Sequence, residues 1–178
     1  MESPSDQNLV DRAQEGDASA FERLVSRHYT TVYRAAYRWC GVREDAEDIT
    51  QDVFVKVARK LGSFAGRASF RTWLYRITVN TAMDLGRRRA TRQAFSRAWK
   101  DGMEAPAENP GEEAEAVQEL YAAIDGLPPR QKAAALLVWA EGFTHKEAAS
   151  VLECAEATVS AHLFQARKNL QHLLSGTS

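Results

Sequence analysis

The sequence predicts an all-α protein built as two small helical domains joined by a flexible acidic linker, the second domain carrying a helix-turn-helix. Three observations lead there. Apolar residues recur at helical spacing through most of the 178 residues. No segment shows the alternation of a strand. Glycine and proline gather at a few places, and those places divide the chain.

Asp17 stands where an N-cap is needed for a helix from Ala18 to Cys40, and Gly41 where a helix would end. A second helix is expected from Glu44 to Leu61. The two-glycine stretch Gly62–Ala68 reads as a loop, after which Ser69 caps a long helix running from Phe70 into the Arg87–Lys100 region. The segment Asp101–Glu113, with two prolines, two glycines and dense negative charge, reads as a linker. Beyond it lie helices around Glu113–Asp125, a break at Gly126–Pro129, and helices near Arg130–Ala140, His145–Leu152 and Glu156–Leu174. The domains are therefore expected at residues 1–100 and 114–178, with 101–113 between them.

With 44% hydrophobic and 26% charged residues the composition is that of a folded soluble protein. The net charge of −1 conceals a segregation. Arg67–Lys100 holds nine Lys/Arg against one Asp, and Asp101–Glu119 holds seven Asp/Glu and no Lys or Arg. A basic surface next to an acidic segment points to a charged macromolecular partner. The two cysteines, Cys40 and Cys154, form no metal or disulfide pattern. The polar N-terminus and the absence of a long apolar run lead to the expectation of a cytoplasmic protein without membrane insertion. Neither a nucleophile–base constellation, H-E-x-x-H nor a glycine-rich phosphate loop is present, so the expectation is no enzyme, no catalytic residue, no metal and no cofactor.

Three stretches carry the functional reading. In D-A-E-D-I-T-Q-D-V-F-V-K-V (Asp45–Val57), helical projection aligns Ile49, Val53, Val57 and Leu61 as an apolar stripe. Asp45, Asp48 and Asp52 fall within roughly 60° of one another on another face, and Val55 projects among the polar residues beside Asp48 and Gln51. A solvated acidic face and a docking surface for a basic partner both fit; a metal site fits poorly, because the carboxylates fan out along one helix. The second stretch, R-A-S-F-R-T-W-L-Y-R-I-T-V-N-T-A-M-D-L-G-R-R-R-A-T-R, mixes arginines with Phe70, Trp73 and Tyr75. Cations for phosphates and flat rings for unstacked bases are what single-strand binding requires. Trp73, Leu74 and Ile77 are also spaced as core. The third, from Ala140 to Leu170, has helix-turn-helix form: Ala148, Ala149 and Leu152 on a short helix, a turn at Glu153–Ala155, and Val159, Leu163, Ala166 and Leu170 on a second.

In this order and spacing, D-A-E-D-I-T-Q-D-V-F, F-R-T-W-L-Y-R-I-T-V-N, L-P-P-R-Q and T-V-S-A-H-L-F-Q-A-R-K-N-L resemble the signatures of extracytoplasmic-function (group IV) sigma factors of bacterial RNA polymerase, from about Asn8 to Leu174. The resemblance implies a chain that binds core RNA polymerase, recognises the −35 and −10 promoter elements, helps melt the DNA and is held by an anti-sigma factor. It assigns Asp45, Asp48, Ile49, Gln51, Asp52 and Phe54, with Val55 among them, to core polymerase. Phe64, Arg67, Phe70, Arg71, Trp73, Arg76, Asn80, Asp84, Arg87 and Arg88 fall to the −10 element and the melted non-template strand, where a flipped base would be pocketed. Thr144, Lys146, Thr158, Ser160, His162, Arg167 and Lys168 fall to the double-stranded −35 element. The chain departs from the family where Ser160, His162 and Gln165 stand at positions usually basic, which implies fewer phosphate contacts there. A two-domain helix-turn-helix regulator that acts without polymerase is the alternative; it leaves the acidic Asp45–Asp52 face without a purpose.

Overall fold

A computed structural model describes residues 4–97, 120 and 122–175, with the backbone alone for 92–97 and 173–174. The expected linker Asp101–Glu113, Lys100 and most of the helix expected around Glu113–Asp125 lie outside the described residues. All regular structure among the described residues is helical.

The chain begins with α1 (Asp6–Gln14), which the sequence pattern does not reveal. Ser5 caps it by accepting from the Asn8 N–H at 3.2 Å. Only Leu9 and Val10 are buried on it, too few for a periodicity to show. The Gln14 amide donates to the carbonyls of Leu61 and Phe64 at 2.8 and 2.9 Å, so α1 braces the loop that follows the third helix.

Helix α2 (Ala18–Cys40) has the expected ends: Asp17 accepts from the Ser19 and Ala20 N–H groups, and Gly41 takes φ 68° as the left-handed stop. Arg12 also reaches Asp17 at 2.5 Å. The Arg12 guanidinium, followed by the Ser19 and Ala20 donors, holds the Asp17 carboxyl down at about 2. Because the folded value lies below the unfolded one, this stabilisation is complete above about pH 4 and is lost as pH falls toward 2. Asn is an equally good cap, so D17N isolates the charge. Thermal unfolding followed by circular dichroism should show the wild type melting higher than D17N above pH 4, with the two curves converging near pH 2.

In α3 (Arg43–Lys60) the stripe Ala46, Ile49, Val53 and Val57 is buried against α2, as the step of four predicts. A 3₁₀ turn (Leu61–Ser63) leads through residues 64–69 to α4 (Phe70–Arg97), whose first turn is capped by Ser69 Oγ accepting from the Thr72 N–H at 3.1 Å. Leu74, Ile77, Val79 and Ala82 of α4 are buried.

The C-terminal unit starts at residues 122–125 and continues with α5 (Pro129–Ala135), with Pro129 in its first turn. The sequence pattern predicts a single helix to Ala140. Instead Leu136–Ala140 widens into a π turn, closed by the Glu141 N–H donating to the Leu136 carbonyl five residues back. Helix α6 (His145–Leu152) opens with a full capping box between Thr144 and Glu147. Glu153 in the left-handed region (φ 53°) turns the chain into α7 (Glu156–Ser175), completing the helix-turn-helix. The fold thus has helices at both expected domains, and α4 also packs against α6.

Candidate protein-docking and nucleic-acid interfaces

On α3 the polar face sorts differently from the projection. Asp48, Gln51 and Asp52 are exposed, and Val55 is 46% exposed among them. Asp52 pairs with Lys56 one turn on at 2.8 Å. Phe54 is half-buried and stacks on Tyr29 of α2 (6.0 Å, 10° between planes), which leaves Tyr29 exposed beside the acidic face. No motif on α2 marks Tyr29, so only the packing of the two helices brings it to this surface.

Two residues assigned to this surface turn inward. Ile49 is core, 2% exposed. Asp45 is 5% exposed, and both its carboxylate oxygens meet the Arg89 guanidinium of α4. The reason is geometric: Asp45 lies four residues before Ile49, at the head of the same stripe, about 40° from it in projection. The acidic face therefore begins at Asp48.

In the loop and α4, Phe64, Phe70 and Trp73 form one aromatic cluster, with ring centroids 5.0 Å apart for Phe64–Trp73 and 5.8 Å for Phe70–Trp73. Phe64 and Phe70 are buried, so both anchor the loop and neither is a stacking platform for a base. Mutual packing of three rings, edge-to-face for Phe64–Phe70 and tilted for the two pairs with Trp73, outweighs the contact a lone exposed ring would make. Trp73 remains half-exposed, and Arg67, Asn80, Arg87 and Arg88 are exposed. At 100° per residue Trp73, Asn80, Asp84 and Arg87 fall within about 60° of one another, so they share one face of α4. Asp84 is half-buried and pairs with Arg87.

Arg71 and Arg76 reach the C-terminal unit. Arg71 donates to the Glu141 carbonyl at 3.0 Å and its guanidinium sits 4.1 Å above the Phe143 ring centroid. Arg76 donates to the Ser150 carbonyl at 2.7 Å and lies 3.4 Å from the Glu153 carboxylate. The Glu141 carboxylate meets Arg38 of α2 through one oxygen and accepts from the Tyr75 hydroxyl through the other at 2.7 Å. Burial, with that bond to Glu141, pushes the Tyr75 phenol well above its ordinary value, so it stays a donor. Lys132 of α5 is buried and donates to the Trp39 carbonyl at 2.5 Å, as well as to Asp125 at 2.5 Å.

On the helix-turn-helix, Lys146, Ser160, Arg167 and Lys168 are exposed, whereas Thr158 and His162 are half-buried at the flank of α7. Thr144 is exposed but spends its hydroxyl on the Glu147 cap. Ser160 Oγ lies 3.0 Å from His145 Nδ1, tying α7 to α6. The outermost stripe of α7 is Ala157, Ala161, Phe164 and Lys168. Phe164 is 58% exposed with the Lys168 ammonium 5.2 Å from its ring centroid. Arg167 lies 5.7 Å from the exposed Trp139 ring. An apolar residue inside an apolar-rich helix reads as core, so sequence reasoning singles out neither Phe164 nor Trp139. Among the described residues no cluster of His, Cys, Asp and Glu could hold a metal ion, and no helix is long and apolar enough to cross a membrane.

Residues 24–92 match Sigma-70 region 2, and residues 117–170 match Sigma-70 region 4. The ECF RNA polymerase sigma factor SigE of Mycolicibacterium smegmatis is 35% identical over 168 residues, covering 90% of this chain and 65% of that protein. The ECF RNA polymerase sigma-E factors of Haemophilus influenzae and Escherichia coli K12 are each 33% identical; 94% of this chain is covered in both, with 94% and 93% of theirs. Among solved structures, CnrH in complex with the cytosolic domain of CnrY superposes with a TM-score of 0.73 at 26% identity, covering 97% of this chain and 99% of that one. The sigma factor RpoE, in complex with the anti-sigma factor NepR from Bartonella quintana, gives 0.68 at 26% identity over 87% and 96%. With both sigma modules present in order, and the two sigma-E relatives matched over nearly their full length, the chain belongs to the ECF sigma factors of bacterial RNA polymerase.

Proposed function

We propose that this chain docks on core polymerase through Asp48, Gln51, Asp52 and Val55, flanked by Tyr29, and directs initiation from promoters it reads with two separate modules. As a sigma factor it is a non-enzymatic subunit: the polymerase carries the chemistry and this chain chooses the site. Residues 1–100 form the module for core binding and −10 melting, residues 114–178 the module for the −35 element, and 101–113 the tether. The observation that supports the docking surface is the exposed acidic face with one apolar residue inside it, which suits a basic, partly apolar helix better than bulk water does. Trp73, Asn80 and Arg87 on one face of α4, with Arg67 in the loop, serve the −10 strand. Lys146, Ser160, Phe164, Arg167 and Lys168 serve the −35 major groove, where the Phe164 ring suits a thymine methyl. The protein acts in the cytoplasm and is restrained by an anti-sigma factor, a reading supported by the complexes of CnrH with CnrY and of RpoE with NepR.

Run-off transcription with purified core polymerase and a randomised promoter library tests this directly. Enrichment of a two-block promoter motif is the expected result. Absence of any sigma-dependent transcript, with the protein folded and no inhibitor added, would overturn the reading.

A further inference from the structure

We propose that Glu141 is a latch by which the chain, without any partner, closes its helix-turn-helix module onto its own −10 module and engages the donors of arginines assigned to promoter DNA. The carboxylate stands where a phosphate would. One oxygen faces Arg38, the other takes the Tyr75 hydroxyl, and the Glu141 carbonyl takes Arg71. A carboxylate and a phosphate compete for the same guanidinium geometry. A second set of contacts repeats the arrangement nearby, with Arg76 on the Ser150 carbonyl and beside the Glu153 carboxylate. Two arginines of α4 are thereby committed to the chain's own C-terminal module.

The closed arrangement and a promoter-bound one exclude each other on size alone. A compact chain of this length has a radius of gyration of about 16 Å, hence a diameter of about 41 Å. The −10 and −35 elements lie about 25 base pairs apart, or about 85 Å along B-form DNA. One body cannot touch both, so α5–α7 must leave α4 before the two elements are read together. The seam suits that separation. On the arginine side its ionic contacts are open to solvent, with the Arg38 and Arg76 side chains 32% and 30% exposed, whereas the Glu141 side chain is only 10% exposed. Its apolar part is buried but incompletely filled, leaving a void of about 20 Å³ between Trp39, Val79 and Ala82 on one side and Ala133, Leu136 and Leu137 on the other.

Opening exchanges Glu141 for DNA phosphate at Arg38 and Arg71, which makes these two arginines a backbone-phosphate site in the open chain, whereas the Tyr75 hydroxyl serves the closed one alone. The affinity of the free protein for DNA is then scaled by the fraction that is open. This consequence for DNA rests on assigning Arg71 and Arg76 to promoter contact, whereas the closure itself does not.

The test uses the full chain and two variants, E141Q, which keeps the shape and removes the charge, and Y75F, which keeps the ring on Phe143 and removes the hydroxyl. Small-angle scattering reads closure. Fluorescence anisotropy with a labelled random-sequence 24-nucleotide single strand reads access to the arginines. Both variants are expected to show a larger radius of gyration and about fivefold tighter binding to the oligonucleotide, with wild-type helicity by circular dichroism. If E141Q fails to fold, Y75F carries the test. Unchanged scattering in the folded variants would overturn the latch. A larger radius with unchanged oligonucleotide affinity would overturn the competition between Glu141 and DNA for the arginines. Failure of the sigma reading is seen separately, in run-off transcription.

Discussion

Reversing two charges on α3, in D48K/D52K, is expected to abolish capture by core RNA polymerase while leaving the fold as it is. Both side chains are exposed, and Asp52 is held only at the surface, in an i,i+4 ion pair with Lys56. Such a pair contributes a few tenths of a kcal/mol, so its removal will not unfold the domain. At a docked interface, by contrast, placing like charges opposite a basic partner costs several kcal/mol. Affinity for core should fall at least about a hundredfold, measured by competition against wild-type sigma in a core-binding assay, with helicity and melting temperature as controls. V55A should weaken binding more modestly, since it removes buried apolar area and no charge. If D48K/D52K competed as well as the wild type, the docking surface would have to lie elsewhere.

The three consecutive arginines at the end of α4 should divide sharply. Arg89 holds the buried Asp45 from below, whereas Arg87 pairs with Asp84 at the surface and Arg88 is exposed. R89A leaves a carboxylate buried without its partner, a destabilisation of about 3 kcal/mol and, for a domain of this size, a melting temperature lower by about 12 °C. R87A/R88A should melt as the wild type does. It should instead weaken binding of holoenzyme to promoter DNA, with a salt dependence shallower by about 0.7 for each single-strand phosphate that is no longer neutralised. Equal melting temperatures for R89A and R88A would show that Asp45 does not depend on Arg89. Neutralising all three arginines together would confuse the two effects.

Periodicity and caps make most of the helices legible: Asp17, Gly41 and Ser69 mark ends that the structure keeps. What the pattern does not supply follows from what it measures. Helix α1 holds two buried apolar residues in nine, below any periodic signal, and it is placed by distant polar partners: Asp6 meets Arg27 and His28 of α2, and Gln14 reaches a loop 47 and 50 residues away. Asp45 departs from the expected face because position outweighs residue type: it shares charge with its neighbours, yet it heads an apolar stripe. Phe64 has the look of a base-binding ring in the sequence because its two ring partners lie on a different element. Glu141 carries no signal at all, since its partners are 66 and 103 residues distant. Site residues on one helix can be read from a helical wheel; those defined by two elements cannot.

The π turn at Leu136–Ala140 turns the position of Glu141 into a matter of reading-frame arithmetic. A π turn is an α-helix with one residue too many. Excising a single residue there, such as Ala140, would let the turn rewind as ordinary α-helix and swing everything beyond it by about 100° relative to α5. Glu141 would then face away from Arg38 and Tyr75, and Trp139 would leave the side chain of Arg167. In this stretch a one-codon deletion is therefore a larger structural event than most substitutions, and insertions or deletions at Leu136–Ala140 are the length changes by which descendants of this chain could acquire or abandon closure.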